Sequence, residues 1–191
     1  MSNHKDRPDP AFRRGRRGFL ARAGALTGVL GTLTAFPAFA TTPDRPRSLR
    51  FVHTHTGETL TAPYFDGGAY SDASLREVNA LLRDFRTGES HQIDPPLLDI
   101  LYDLQTLAHH DAPFEVISGY RSPQTNAMLH HNSSGVAEHS QHILGKAIDV
   151  RLSGYSTRKL SEYARSLSRG GVGFYASSDF VHVDTGRVRY W

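Results

Sequence analysis

Residues 140–149 read SQHILGKAID, and they predict a loop that passes through a turn into a strand. Gly145 permits the sharp turn, because glycine has no side chain to restrict its backbone. From Lys146 to Leu152 the side chains alternate between two faces, which is typical of a strand and places Asp149 on one of them. A histidine in the loop, His142, and a carboxylate on the strand that follows can converge on one metal ion.

A second alternating segment occupies residues 180–184, which read FVHVD. His182 and Asp184 lie on one face of this predicted strand, and the two valines lie on the other. Buried polar side chains need partners, since burial without them is unfavourable. A metal ion or a catalytic water would supply those partners.

Two imidazoles and one carboxylate are the ligands of many catalytic zinc sites, in which the fourth position is left for water. The candidates here are His142, Asp149 and His182. The sequence contains 11 histidines, so a surface or core role is ordinary for any single one. The combination, rather than one residue, therefore points to a single zinc ion.

The pattern S-x-H-x-x-G-x-A-x-D, from Ser140 to Asp149, resembles the signature of a zinc peptidase superfamily. That superfamily includes D-Ala-D-Ala carboxypeptidases, VanX-type dipeptidases and phage endolysin peptidases, and the chain resembles most its periplasmic, YcbK-like branch of murein endopeptidases. Residues 118–122 (SGYRS) and 173–191 extend the resemblance over most of residues 114–191. The resemblance implies that His142, Asp149 and His182 bind one zinc ion.

The resemblance also implies roles for three further residues. The family's Gly-Tyr-Arg arginine, here Arg121, binds the substrate peptide and stabilises negative charge, a task that suits the paired donors of a guanidinium. The alternative is a structural arginine at a strand–helix junction. Many relatives carry a general-base Glu three residues before the last zinc histidine, and Asp179 stands there, one methylene shorter. Asp184 is a second candidate for the general base, or a partner that orients a zinc-binding histidine.

The rest of the pattern predicts an α+β fold. Helices are predicted near residues 74–88, 94–107, 122–131 and 156–169, and strands at 49–55, 58–64, 114–117, 146–152, 172–175, 180–184 and 188–190. Helices dominate the first half and antiparallel strands the second. We therefore expect a small antiparallel sheet with helices packed on it and the zinc site on the sheet, as in hedgehog and the D-Ala-D-Ala peptidases.

Residues 1–40 are typical of an export signal, with an Arg-rich stretch, an apolar Gly- and Ala-rich stretch and an A-x-A cleavage signal at residues 38–40. Residues 16–20, RRGFL, resemble the twin-arginine motif, which implies export to the periplasm. An ordinary secretory signal or an uncleaved anchor are the alternatives. Residues 41–48 are predicted to be a linker, and residues 49–191 the zinc peptidase domain.

The basic character of the chain belongs to its first 40 residues, which carry seven Lys and Arg against two Asp. Of the totals of 22 basic and 19 acidic residues, 15 and 17 remain after residue 40. This distribution argues against nucleic-acid binding, which needs a basic folded surface. After the signal, no stretch approaches the ~20 apolar residues that a membrane span needs. We also expect the protein to be a monomer.

The leading hypothesis is a zinc-dependent murein endopeptidase that hydrolyses peptide crosslinks in the cell wall, with peptidoglycan peptide stems as its substrate. The sequence leaves open whether it cuts 3,3 or 4,3 crosslinks. One alternative is a D,D-carboxypeptidase or dipeptidase that trims chain ends. The other is a non-catalytic, zinc-containing domain that binds the cell wall.

Overall fold

The computed structural model describes residues 45–133 and 135–191. The predicted signal at residues 1–40 and the first part of the predicted linker lie outside the described residues. The first strand begins at Arg47, so the last two residues of that linker are already part of the sheet. None of the helices in the described ranges has the length and apolar character needed to cross a membrane.

The described residues form eight strands, four α-helices and a short 3-10 helix at Gln141–Leu144. The helices are α1 (Asp72–Leu81), α2 (Pro95–Ala108), α3 (Pro123–Asn132) and α4 (Thr157–Leu167). The strands are β1 (Arg47–His53), β2 (Thr59–Asp66), β3 (Ala69–Tyr70), β4 (Phe114–Ser118), β5 (Ala147–Leu152), β6 (Gly171–Tyr175), β7 (Phe180–Asp184) and β8 (Arg189–Tyr190).

All eight strands belong to one sheet, in the order β3-β2-β1-β4-β5-β7-β6-β8. The α+β class is therefore confirmed, but the prediction of a small antiparallel sheet was wrong. The pairs β1–β4 and β6–β8 are parallel, and the other pairs are antiparallel. Parallel pairs join strands that are distant in the chain, so alternation within one strand cannot reveal them.

Helix α1 differs from its prediction at both ends. Its N-cap is Ser71, whose hydroxyl accepts a hydrogen bond from the backbone N–H of Ser74 at 3.3 Å. It ends at Leu81, short of the predicted Gly88. The chain turns after it, and the carboxylate of Asp84 in this turn accepts hydrogen bonds, among them one from the Ser122 hydroxyl at 2.7 Å.

One face of the sheet packs into the core. Ile148 and Val150 of β5 and Val181 and Val183 of β7 are 0–1% exposed and belong to one apolar cluster with the leucines of α2 and α4. Because strand side chains alternate, the residues between these positions lie on the opposite face. The helices thus bury one face of the central strands, and the other face is left for the polar residues.

Candidate metal centre and substrate cavity

The local structure around residues 140–149 brings His142 to the sheet. The Ser140 hydroxyl accepts a hydrogen bond from the His142 backbone N–H at 3.3 Å and so caps the 3-10 helix. Gly145 then takes a left-handed backbone conformation, with φ of 66°, and the chain turns into β5. The predicted loop is therefore a single helical turn that holds His142 next to the strand carrying Asp149.

The three predicted metal ligands meet on the face of the sheet opposite the core. Asp149 on β5 lies directly across from His182 on β7. The distances are 3.2 Å from His142 Nε2 to His182 Nδ1, 3.3 Å from His142 Nε2 to Asp149 Oδ2, and 2.9 Å from His182 Nδ1 to Asp149 Oδ1. All three side chains are buried, and among the described residues they form the one group of His, Cys, Asp or Glu side chains close enough together to hold a metal ion.

The ring nitrogens that face away from this group have their own partners. His142 Nδ1 lies 2.7 Å from the carbonyl oxygen of Gly119, and His182 Nε2 lies 2.9 Å from Asp184 Oδ2. Carbonyl and carboxylate oxygens only accept, so each of these nitrogens donates a hydrogen. In the neutral rings, the lone pairs of His142 Nε2 and His182 Nδ1 therefore point at each other and at Asp149.

Two lone pairs and a carboxylate at such distances repel one another unless a positive charge lies between them. A cation satisfies all three at once, and two imidazoles with one carboxylate match the donor set of catalytic zinc sites. A hydrogen bond from the far nitrogen to a carboxylate or carbonyl is also the usual partner of a metal-binding histidine. The donor set present therefore fits zinc.

The pKa values of the group show the same requirement for a positive charge. Burial alone would raise the pKa of Asp149, but His142 and His182 hold that pKa well below its ordinary value. Burial alone would lower the pKa of His182, but Asp149 and Asp184 outweigh it and raise the pKa to about 9. Without a metal ion, the site thus favours a positive charge on His182.

Asp184 is buried and contacts the ring nitrogen of His182 that faces away from the other two candidate ligands. Its Oδ1 accepts hydrogen bonds from the backbone N–H of Gly171 and Gly186 and from Arg189, and its Oδ2 accepts from Arg189 at 2.7 Å and from His182. Burial would raise the pKa of Asp184, but these donors hold it well below the ordinary value. Both oxygens are engaged, so the geometry favours the orienting role over that of a proton acceptor.

Asp179 does not join the group. It lies in the turn between β6 and β7 with φ of 51°, and its Oδ1 accepts a hydrogen bond from Thr157 at 2.6 Å. Its Oδ2 lies 3.7 Å from Arg151, and 63% of its side chain is exposed. The spacing of three residues before His182 crosses the end of a strand, where the alternation of side chains stops. The role of Asp179 as general base stays a prediction that this geometry does not favour.

Arg121 does lie at the group. Its Nη2 is 3.9 Å from Asp149 Oδ2, and its Nη1 donates to Asn126 Oδ1 at 3.3 Å. Its backbone N–H donates to the carbonyl of His142, which ties residues 118–122 to the 3-10 helix. Its Nε is buried without a hydrogen-bond partner among the described residues. Arg121 is thus a cation beside the candidate ligands with donor capacity to spare.

A cavity of about 430 Å³ opens over the three candidate ligands and Arg121. His139, which the sequence indicates is a substrate-loop or surface residue, lines this cavity. Four further lining side chains were not predicted as site residues, and these are Tyr175, Phe180, Arg189 and Trp191. The signal for four of them lay in residues 173–191, where aromatic residues and an arginine flank His182. No local pattern showed that the two ends of that segment return to the same cavity.

Comparison with known proteins identifies the family of the chain. The family described as peptidoglycan L,D-endopeptidase MepK matches residues 41–191. The chain is 43% identical to the probable peptidoglycan L,D-endopeptidase MepK of Haemophilus influenzae over 92% of this chain and 95% of that protein. It is also 43% identical to peptidoglycan L,D-endopeptidase MepK of Escherichia coli K12, over 94% and 98%. No solved structure matches it significantly. The chain therefore belongs to the MepK family of M15 peptidases, within the superfamily predicted from residues 140–149.

Proposed function

We propose that this chain is a zinc-dependent peptidoglycan endopeptidase that acts in the periplasm and hydrolyses an L,D peptide bond of the crosslinks. Membership of the MepK family and 43% identity to two named peptidoglycan L,D-endopeptidases support the reaction and the substrate. The L,D bond in those names favours the 3,3 crosslink, which joins an L centre to a D centre, over the 4,3 crosslink, which joins two D centres.

One observation supports zinc binding most directly: His142 Nε2, His182 Nδ1 and an Asp149 oxygen lie within 4.8 Å of one another. Zinc in such a site lowers the pKa of a water to about 7 and polarises a carbonyl group. Gly119 and Asp184 fix the two rings so that the correct nitrogens face the ion. Because these partners are set before a substrate arrives, little reorganisation is needed during the reaction.

Arg121 is placed to bind negative charge on the substrate. Its guanidinium lies on the wall of the cavity and lacks a close carboxylate partner, since Asp149 Oδ2 is 3.9 Å away. A substrate carboxylate or the oxygen that gains charge during amide hydrolysis can therefore accept its hydrogen bonds. We expect Arg121→Lys to lose most activity, because lysine cannot reproduce the paired donors.

A proton acceptor completes the reaction, and two residues can be compared for it. His139 lines the cavity, and an imidazole nitrogen can accept a proton. Asp179 has the position expected from relatives but is bound to Thr157 away from the cavity. If His139 accepts the proton, His139→Ala lowers kcat by about 100-fold or more while Asp179→Asn leaves it unchanged. The reverse result assigns the step to Asp179.

The function is tested by digesting purified sacculi with the zinc-loaded protein and resolving the muropeptides. Loss of 3,3-crosslinked dimers, blocked by chelator and by His142→Ala, is the expected result. Unchanged dimers would refute the proposal. Release of free D-Ala from a monomeric pentapeptide would show a D,D-carboxypeptidase instead, and binding to sacculi without cleavage would show a non-catalytic domain.

A further inference from the structure

The cavity wall beside the candidate metal centre is aromatic and is built around the single tryptophan of the sequence. The Trp191 ring lies 5.3 Å from the His182 ring, measured between centroids. Its Nε1 donates a hydrogen bond to the Tyr175 hydroxyl at 2.9 Å, and Tyr175 stacks on Phe180 with centroids 4.5 Å apart. Three aromatic rings thus form one continuous surface next to His182.

Trp191 is held in this place by several independent contacts. Its backbone N–H donates to Val172, and its carbonyl accepts from Phe174. The Arg189 guanidinium lies 5.0 Å from its ring centre. Gly173 lies against the ring, and a Cβ at that position would come within 2.6 Å of the indole Cε2 and Nε1. The glycine therefore provides the space in which the indole sits.

Stabilisation of the core does not explain this placement, because Trp191 remains 47% exposed. Its polar atom is already bonded to Tyr175, so the free surface that it offers to the cavity is apolar. Arg189, the cation beside it, is neutralised by the two oxygens of Asp184. The cavity therefore has an apolar aromatic wall at Trp191 and a cationic wall at Arg121.

We infer that Trp191 is a positioning residue for the substrate: its ring packs against an uncharged aliphatic part of the peptide stem next to the scissile bond, while Arg121 holds a carboxylate. The inference rests on the proposed function, since it names what one wall of that site binds. Aromatic rings are suited to this role because they present a large, rigid apolar surface with few rotamers to lose.

The single tryptophan allows binding to be measured separately from cleavage. Selective excitation of tryptophan reports on Trp191 alone, so titration of a purified 3,3-crosslinked dimer into the wild-type protein, with cleavage blocked by chelator, should change the emission in a saturable manner. The same titration with an isolated disaccharide that lacks a peptide should leave the emission unchanged. A flat response to the dimer, in a preparation whose zinc-loaded form cleaves it, would overturn the inference.

Kinetics of the loaded enzyme give the second readout. We expect Trp191→Ala to lower kcat/KM by about 30-fold or more, mainly through KM, and Trp191→Phe to restore most of it. The matched control is Tyr190→Ala, the neighbouring exposed aromatic, whose hydroxyl contacts Arg165 and which does not line the cavity. Bound zinc is measured for each variant, and loss of zinc from Trp191→Ala would overturn a role in substrate binding.

The substitution Gly173→Ala tests the role of Trp191 in a second way, because it displaces the indole ring without removing it. Alone, it should lower kcat/KM because its Cβ displaces Trp191. In the Trp191→Ala background it should have no further effect, since the clash is gone. Additive losses would contradict the inference. If the wild-type protein itself leaves the dimer intact, the proposed function is refuted. If the wild-type enzyme is active and Trp191→Ala is equally active, only the inference about Trp191 is refuted.

Discussion

The partly exposed Arg189 forms an ion pair with the buried Asp184, and this pair supports the ring of His182. Arg189 donates to both oxygens of Asp184, at 3.0 and 2.7 Å, and Asp184 in turn accepts from His182 Nε2. Such partners of metal-binding histidines set the ring orientation and its basicity. The strength of metal binding should therefore depend on a residue that does not contact the metal.

We expect Arg189→Met to weaken zinc binding by about 10- to 100-fold, measured by competition with a fluorescent chelator. The variant keeps Gly171 and Gly186 as donors to Asp184 but loses the guanidinium. Arg187→Met is the matched control, because it removes the same charge from an exposed neighbouring position. Equal zinc affinity in the two variants would contradict the orienting role of Asp184.

Asp84 has a comparable structural role away from the cavity. Burial alone would raise its pKa above the ordinary 3.8, but hydrogen bonds from Thr125, Ser122 and backbone N–H groups hold the pKa at about 2. The folded state thus favours the ionised form. Its contribution to stability is complete above pH about 4 and is lost as the pH falls towards about 2.

We expect Asp84→Asn to lower the free energy of unfolding by about 1–3 kcal/mol at pH 7, measured by urea denaturation. The difference from wild type should shrink as the pH is lowered through the window from about 4 to about 2. Glu162→Gln, at an exposed position of α4, is the control and should change little. A difference that stays constant with pH would show that the charge of Asp84 is not involved.

At the scale of elements, the 3-10 helix that carries His142 is packed against the segment before α2. A Cβ on Gly145 would lie 2.1 Å from the carbonyl oxygen of Gln92. The backbone N–H of Asp94 also donates to the carbonyl of Gly145. The turn is therefore clamped by a neighbouring segment as well as by its own conformation.

We expect Gly145→Ala to cost more stability than Gly57→Ala, by about 2 kcal/mol or more in urea denaturation. Both glycines have positive φ, 66° and 73°, so both substitutions carry the penalty of a left-handed residue. Gly57 has open space where its Cβ would lie, so only Gly145→Ala meets a backbone oxygen. Equal costs would mean that the Gln92 segment yields without strain.

The sequence predicted what depends on local periodicity. The alternation of polar and apolar residues predicted strands β5 and β7, and therefore the face of the sheet on which Asp149 and His182 lie. The pair Asp94-Pro95 indicated where α2 begins. It did not predict the end of α1, where Leu82 and Asp84 form long-range hydrogen bonds with Tyr120 and Ser122. The general base illustrates the same limit, because counting back from His182 passes out of a strand into a turn, where Asp179 bonds to Thr157.

At the scale of the whole molecule, the candidate zinc site joins elements from distant parts of the chain. It takes one ligand from the 3-10 helix and one from each of two central strands, and its supporting partners come from Gly119 and β8. A ligand that binds only the folded state stabilises that state in proportion to the logarithm of its concentration.

We expect zinc at about 100 times its Kd to raise the Tm by roughly 5–10 °C, measured by calorimetry, and chelator to reverse the shift. His142→Ala should abolish the shift. His131→Ala, at an exposed position of α3, should retain it. An equal shift in both variants would show that zinc binds elsewhere.

The outermost strands of the sheet are short, and this affects how a peptide can be recognised. Strands β3 and β8, the outermost strands, each contain two residues, so neither strand offers a long row of backbone N–H and C=O groups. Peptides that bind by strand addition need such a row, and they are read through side chains that alternate between faces. A D residue reverses the direction of its side chain at its position. A substrate that contains both L and D residues is therefore bound more readily in a cavity on the face of the sheet than by strand addition at its edge.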